Sequence, residues 1–172
     1  MIRYIQEVRK LILIVHDVRS AHNVGSILRT ADGLGIEQVY LTGYTPYPAA
    51  KNDKRLQHIA AKVDKRIRKT SLGAEQTVKW HYRKDIFEIL DELKRRGYEI
   101  AALEQAANAI SLEKYRATKD AALVVGSEIG GLEQSVLSVA DVTIEIPMLG
   151  AKESFNVSIA AAIALYHLRY LT

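Results

Sequence analysis

The chain has 172 residues, 48% of them hydrophobic and 26% charged, a composition that supports a packed core and excludes disordered and fibrous classes. It has no cysteine, which excludes disulfides and thiolate metal sites, and no apolar run long enough to span a bilayer or serve as a leader, so a soluble, cytoplasmic protein is expected. The net charge of +4 is uneven: residues 51–70 hold eight Lys and Arg against two acids, so this block carries +6 and the remainder −2.

In chain order, "LILIVH" (11–16) reads as a strand, and a helical pattern follows over 23–34. Ile27, Leu28, Ala31 and Leu34 form its apolar stripe, with Asn23 at the expected cap position and Arg29 set among the apolar residues. "EQVYLT" (37–42) is the second strand. The stretch 42–55 carries two of the three prolines and reads as a long loop holding Tyr44 and Tyr47. A basic helix is expected over 55–70, a strand over 77–82, a helix over 84–96 and strands over 98–103 and 121–126. A helix over 132–139, a strand over 142–147 and a last helix over 153–170 complete the chain.

Several strands are apolar almost throughout, as strands covered on both faces are. Strand–helix alternation of this kind predicts an α/β domain with a mostly parallel sheet and helices on both faces. In such sheets ligands bind beyond the carboxyl ends of strands. Three of those ends look prepared: "LEQAAN" after the fourth strand, "GSEIGG" after the fifth and "PMLGAKESFN" after the sixth. The fingerprint GxGxxG is absent after the first strand, and neither GxxxxGK[ST] nor GxSxG occurs. His16, His22, His58, His81 and His167 are scattered, and no His/Asp/Glu group has metal-ligand spacing. The basic block reads either as a solvated helical face or as the footprint of a polyphosphate partner.

"NVGSILRTA" (23–31), "GSEIGGL" (126–132) and "IPMLGAKESFNVSIA" (146–160) resemble, in order and spacing, the three signature motifs of the SpoU/TrmH family of RNA methyltransferases, of the SPOUT class. The resemblance implies a C-terminal trefoil knot, S-adenosyl-L-methionine as methyl donor, a ribose 2′-hydroxyl of tRNA or rRNA as acceptor, and a homodimer without metal or membrane. Two departures stand out. Ala21 occupies a place where many relatives carry proline. The extra RNA-binding domain or basic extension of many relatives has no counterpart, so residues 1–172 are expected to form one methyltransferase domain.

By the same resemblance Arg29 contacts the reacting nucleotide, either as a base or as a stabiliser of phosphate and alkoxide charge; read without it, Arg29 is an exposed helical arginine. Asn23, Glu128, Ser154 and Asn156 complete the implied catalytic set, each with a plainer reading as cap or loop residue. Leu103, Gly126, Gly130, Gly131, Ile146, Met148 and Leu149, with Ser154 and Asn156, are the implied donor-binding residues, bare apolar core being the alternative for Ile146, Met148 and Leu149. Arg29 with Lys51, Lys54, Arg55, Lys65, Arg66, Arg68 and Lys69 would bind RNA, and Tyr44 or Tyr47 would stack on a base or pack locally. The last helix, apolar nearly all round, needs cover on two sides, from a partner subunit or from the knot itself. A second reading of the whole is a knotted RNA-binding protein without catalysis; a third is an enzyme of this scaffold that methylates a base.

Overall fold

The structure, a computed structural model, describes residues 9–51 and 53–171. Its strands are β1 (Leu11–His16), β2 (Gln38–Thr42), β3 (Trp80–Arg83), β4 (Glu99–Leu103), β5 (Ile110–Ser111), β6 (Ala121–Val125) and β7 (Val142–Glu145). Its helices are α1 (Ala21–Gly33), α2 (Gln57–Ser71), α3 (Ala74–Thr77), α4 (Ile86–Arg95), α5 (Gln134–Val139) and α6 (Val157–Tyr170). All seven strands join one sheet in the order β3-β2-β1-β6-β4-β7-β5, and every pair is parallel.

The apolar strands sit where their composition demands. β1 and β6 are buried along their whole length and lie adjacent at the centre, with Val15 beside Val125. Side chains alternate between two layers, as pleating requires. Leu11, Leu13 and Val15 face a core built with α1, α2 and α6, whereas Ile12 and Ile14 face the layer of α4 and α5. The chain runs outward from β1 to β3 on one side and builds β4 to β7 on the other. With every strand parallel, the loops that leave β4, β6 and β7 gather beyond one end of the sheet, the usual ligand position in open α/β sheets.

Local details differ from expectation in four places. The cap of α1 is Ser20, whose hydroxyl accepts from the Asn23 N–H at 3.3 Å; Asn23 lies inside the first turn, its side chain free for other work. The cap of α6 is Asn156, accepting from the Ser158 N–H at 2.9 Å, so Ser154 belongs to the preceding loop. β3 starts only at Trp80, because 74–77 turns as α3. β5 is two residues long and carries no periodicity to announce it. At Gly25 helices α1 and α2 nearly touch: a Cβ there would lie 2.2 Å from both the Ile67 carbonyl and Thr70 Oγ1. The Thr70 hydroxyl also donates to the His22 carbonyl at 2.7 Å, binding the pair.

Candidate active site at the carboxyl ends of the central strands

A cavity of about 320 Å³ opens beyond the carboxyl ends of β4, β6 and β7. Three loops wall it: residues 103–105, the glycine turn 125–131, and the stretch 145–157 before and into α6. The glycine turn is closed by paired backbone bonds between Ser127 and Gly131, 3.2 and 3.0 Å. Glycine is required at two of its positions. Gly131 has φ +63°, and a Cβ at Gly126 would lie 2.6 Å from the Gly131 carbonyl. Gly130 differs: it lines the cavity, its φ is ordinary, and a Cβ there meets no atom within 4 Å.

Glu104 holds the turn against the sheet. Its Oε2 accepts from the Leu132 N–H at 2.7 Å and its Oε1 from the Gln105 N–H at 2.9 Å. The next side chain, Gln105, donates from Nε2 to the Glu153 carbonyl at 2.7 Å, tying β4 to the third wall. Glu104, Gln105, Glu145 and Glu153 all line the cavity, and none was picked out from the sequence. The signal available was their place: the first polar residues after an apolar strand in a parallel sheet, or those flanking a glycine-bearing loop.

A second set of bonds joins the three motif segments. Asn23 Nδ2 donates to Glu128 Oε1 at 2.7 Å. Asn156 Nδ2 donates to Asn23 Oδ1 at 3.2 Å, and Asn156 Oδ1 accepts from the Ser158 N–H and hydroxyl at 2.9 and 2.7 Å. Each amide is thereby oriented by its neighbour: a carboxylate accepts only, so Asn23 must present nitrogen to Glu128 and oxygen to Asn156. Glu128 also receives the Arg19 N–H at 3.3 Å. Burial opposes its charge, but bonds from its own backbone, from Asn23 and from the Arg19 and Ser20 backbone outweigh that, so its carboxyl ionises below the ordinary glutamate range. An anion with its lone pairs already used fixes geometry; it is a weak proton acceptor.

The candidate residues fall into three groups. Leu103, Gly126, Glu128, Gly130, Gly131, Ile146, Met148 and Ser154 line the cavity, and Asn23 and Asn156 are bonded to it through Glu128. Leu149 is fully exposed and outside the lining. Arg29 is likewise outside it, exposed on α1 about two turns, roughly 9 Å, beyond Asn23. Among the described residues it has no hydrogen bond or ion pair.

Of the basic block, Lys51, Lys54, Lys65, Arg66, Arg68 and Lys69 are exposed. Arg68 already contacts Asp64 at 2.6 Å and Glu75 at 3.7 Å. Arg55 is half-buried. It bonds Asp53 Oδ1 at 2.9 Å and the Tyr47 and Pro48 carbonyls, and lies 3.6 Å over the Tyr47 ring. Its side-chain bond to Asp53 lowers that carboxyl to about 2. Among the described residues no group of three His, Asp or Glu is placed to hold a metal ion, and no helix is long and apolar enough to cross a membrane.

Known proteins are similar to this chain. The tRNA (guanosine(18)-2′-O)-methyltransferase of Thermus thermophilus is 30% identical over 156 residues, 91% of this chain and 72% of its own length. A Staphylococcus haemolyticus protein with the provisional name of a TrmH family tRNA/rRNA methyltransferase is 34% identical over 155 residues. That alignment takes in 90% of this chain but 56% of the relative, so the chain spans little more than half of the Staphylococcus protein. The crystal structure of the SpoU methyltransferase AviRb from Streptomyces viridochromogenes, in complex with the cofactor AdoMet, superposes with a TM-score of 0.74 at 23% identity, over 93% of this chain and 59% of AviRb; it shares the fold. The SpoU rRNA Methylase family model matches residues 10–166, a stretch that contains every strand of the sheet and all three walls of the cavity, and the chain belongs to that family.

Proposed function

We propose that the chain is an S-adenosyl-L-methionine-dependent RNA methyltransferase that transfers a methyl group to a ribose 2′-hydroxyl of tRNA or rRNA, acting as one cytoplasmic methyltransferase domain in a homodimer. The observation that carries this reading is the convergence of three distant segments, around Asn23, Glu128 and Asn156, at the edge of one cavity. The Thermus relative is named for 2′-O transfer to a tRNA guanosine. AviRb holds AdoMet on the same fold.

The residues present suit that donor. Leu103, Ile146, Met148 and Phe155 supply apolar wall for an adenine, and the glycine turn brings backbone N–H and C=O groups to the surface. The space at Gly130 admits a ligand that a side chain would displace. Glu104, Glu145 and Glu153 give the lining an acidic character suited to a ligand with a sulfonium and an ammonium. Bound there, the donor supplies an electrophilic methyl carbon. The chain's own residues position the acceptor: Ser154 exposes a hydroxyl to the cavity, free of hydrogen bonds among the described residues. The Glu128–Asn23–Asn156 chain holds the starts of α1 and α6 in register with the glycine turn.

The oxygen that gains the methyl must lose its proton, and in-line placement lowers the barrier for both events. Arg29, permanently cationic and exposed outside this chain's cavity, is assigned to an RNA phosphate beside the acceptor rather than to the role of base. Lys51, Lys54, Lys65, Arg66 and Lys69 supply phosphate contacts. The implied knot belongs to the same reading. It is supported by the return of the chain from β7, between β4 and β5, to seat α6 against α1.

Methyl transfer from labelled donor to total RNA, followed by nuclease digestion and nucleoside identification, tests the proposal. The expected product is a 2′-O-methylated nucleoside. Label on a base selects the base-methylating reading, and RNA binding without transfer selects the non-catalytic one.

A further inference from the structure

The loop after β2 carries two tyrosines in opposite situations. The Tyr47 ring is packed, stacked on Tyr82 with centroids 4.2 Å apart and covered by Arg55 at 3.6 Å. The Tyr44 ring is 86% exposed, and among the described residues no ring or guanidinium packs on it. Its backbone, by contrast, is fixed. The Tyr44 N–H donates to Asp17 Oδ1 at 2.7 Å, the preceding Gly43 carbonyl accepts from Tyr82 Oη at 2.9 Å, and the buried Thr45 hydroxyl donates to the Val15 carbonyl at 3.0 Å. Two left-handed residues meet there, Asp17 at φ 54° and Gly43 at φ 63°, and a Cβ at position 43 would lie 2.0 Å from the Asp17 carboxylate. Non-glycine residues in such backbone are costly and gather at functional sites. A large aromatic presented to water on immobile backbone gains nothing inside the chain. It is a preorganised surface for something that stacks.

Position and charge say what that is. Tyr44 follows β2 at the same edge of the sheet as the cavity. β2 lies two strands from β6, about 10 Å. Between them stands exposed Arg19, its N–H on Glu128. On the far side the Lys84 carbonyl accepts from the Gly43 N–H at 3.2 Å, and Arg83 and Lys84 are both exposed. An exposed aromatic face on a loop with Arg19 to one side and Arg83 and Lys84 to the other, beside a site that takes a ribose, fits a nucleobase flanked by phosphates.

We infer that Tyr44 is a stacking platform for an unpaired base of the RNA next to the methylated nucleotide, and that Arg19 holds the phosphate between them. This rests on the RNA methyltransferase reading above. Only a base outside a duplex can offer its face this way, so the acceptor segment is single-stranded, a loop or a bulge.

The test compares the full chain with Tyr44→Ala and Tyr44→Phe, using fluorescence anisotropy with a short labelled oligoadenylate and an RNA duplex of equal length. Tyr44→Ala is expected to weaken the single-stranded probe about tenfold and the duplex hardly at all, while Tyr44→Phe binds both as the parent does. An unchanged single-strand affinity in Tyr44→Ala, an equal loss on both probes, or a Tyr44→Phe as weak as the alanine variant would each overturn the platform. Methyl transfer by the parent chain to total RNA is scored separately. An inactive parent whose single-strand binding depends on Tyr44 sinks the enzyme and keeps the platform, and an active parent indifferent to Tyr44 does the reverse.

Discussion

At the scale of single residues, the site is organised by which atoms can donate. Asn23 stands between a carboxylate and a second amide, and its amide donates to Glu128 while accepting from Asn156, which a carboxylate in its place could not do. Asn23→Asp keeps the shape and reverses one end, setting a carboxylate against Glu128. Two such groups cannot both ionise cheaply, so the pair would share a proton and titrate above the ordinary carboxylate range. The parent Glu128 has a lowered folded value. Its bonds contribute fully above the ordinary glutamate value and are lost only as the pH falls through the lower folded one. Methyl transfer by the parent should therefore show no carboxylate limb between pH 5 and 8. Asn23→Asp should be weak at pH 8 and recover on acidification, a pH–rate profile deciding between them. Gly130 makes a contrasting case. A methyl group there strains no backbone and strikes no atom, so Gly130→Ala should melt with the parent. Calorimetry should nonetheless show donor affinity down by about tenfold, since the lost space belongs to the ligand.

At the scale of elements, much of the architecture was legible because burial leaves marks in composition. β1 and β6 are apolar almost throughout, and they lie side by side in the middle of the sheet, covered on both faces. The helix expected over 84–96 stands as α4, with Ile86, Ile89, Leu90 and Leu93 buried. What was hidden depends on partners rather than pattern. β5 exists because Ile110 and Ser111 pair with Ile144 and Glu145, and two residues have no period. The cavity set was legible only in part: the glycine turn and Ser154 stood out as unusual, whereas Glu104 acts through backbone groups 28 positions away. The α1–α2 contact also rests on a residue whose role is invisible locally. Gly25→Ala suits a helix by propensity, yet its methyl would meet the Ile67 carbonyl and Thr70 hydroxyl at 2.2 Å. Steric cost should win, with a loss of about 1–3 kcal/mol in urea unfolding. The outer face of α2 should report on RNA instead. Its one acid, Asp64, is used by Arg68 and by the Ala49 N–H. Among the described residues Lys65, Arg66 and Lys69 therefore remain uncompensated. Neutralising these three should flatten the salt dependence of RNA affinity by about one unit of slope per contact, whereas Arg68→Gln should lower stability and leave the slope nearly unchanged.

At the scale of the whole molecule, one helix links two surfaces. α6 turns Ala161, Ala164, Leu165 and Leu168 into the core. It leaves Ile159, Ile163, Tyr166 and Tyr170 exposed on a single stripe, and the last two rings lie 4.9 Å apart. Beside the stripe runs an apolar groove of about 500 Å³, floored by Leu112, Ile146 and Pro147. A stripe and a groove on one face form a self-complementary surface, the kind a two-fold dimer buries. Ile146 lines this groove and also the donor cavity, so closing one constrains a wall of the other. Ile163→Glu should give a folded monomer by light scattering, because the position is already wet and a charge there breaks association before it breaks the core. Donor affinity should fall with it, and in the parent should decline on dilution at the concentration where the dimer dissociates. A parent that is monomeric at every concentration while binding donor with constant affinity would uncouple the two surfaces, leaving the exposed face of α6 to a partner other than a second copy.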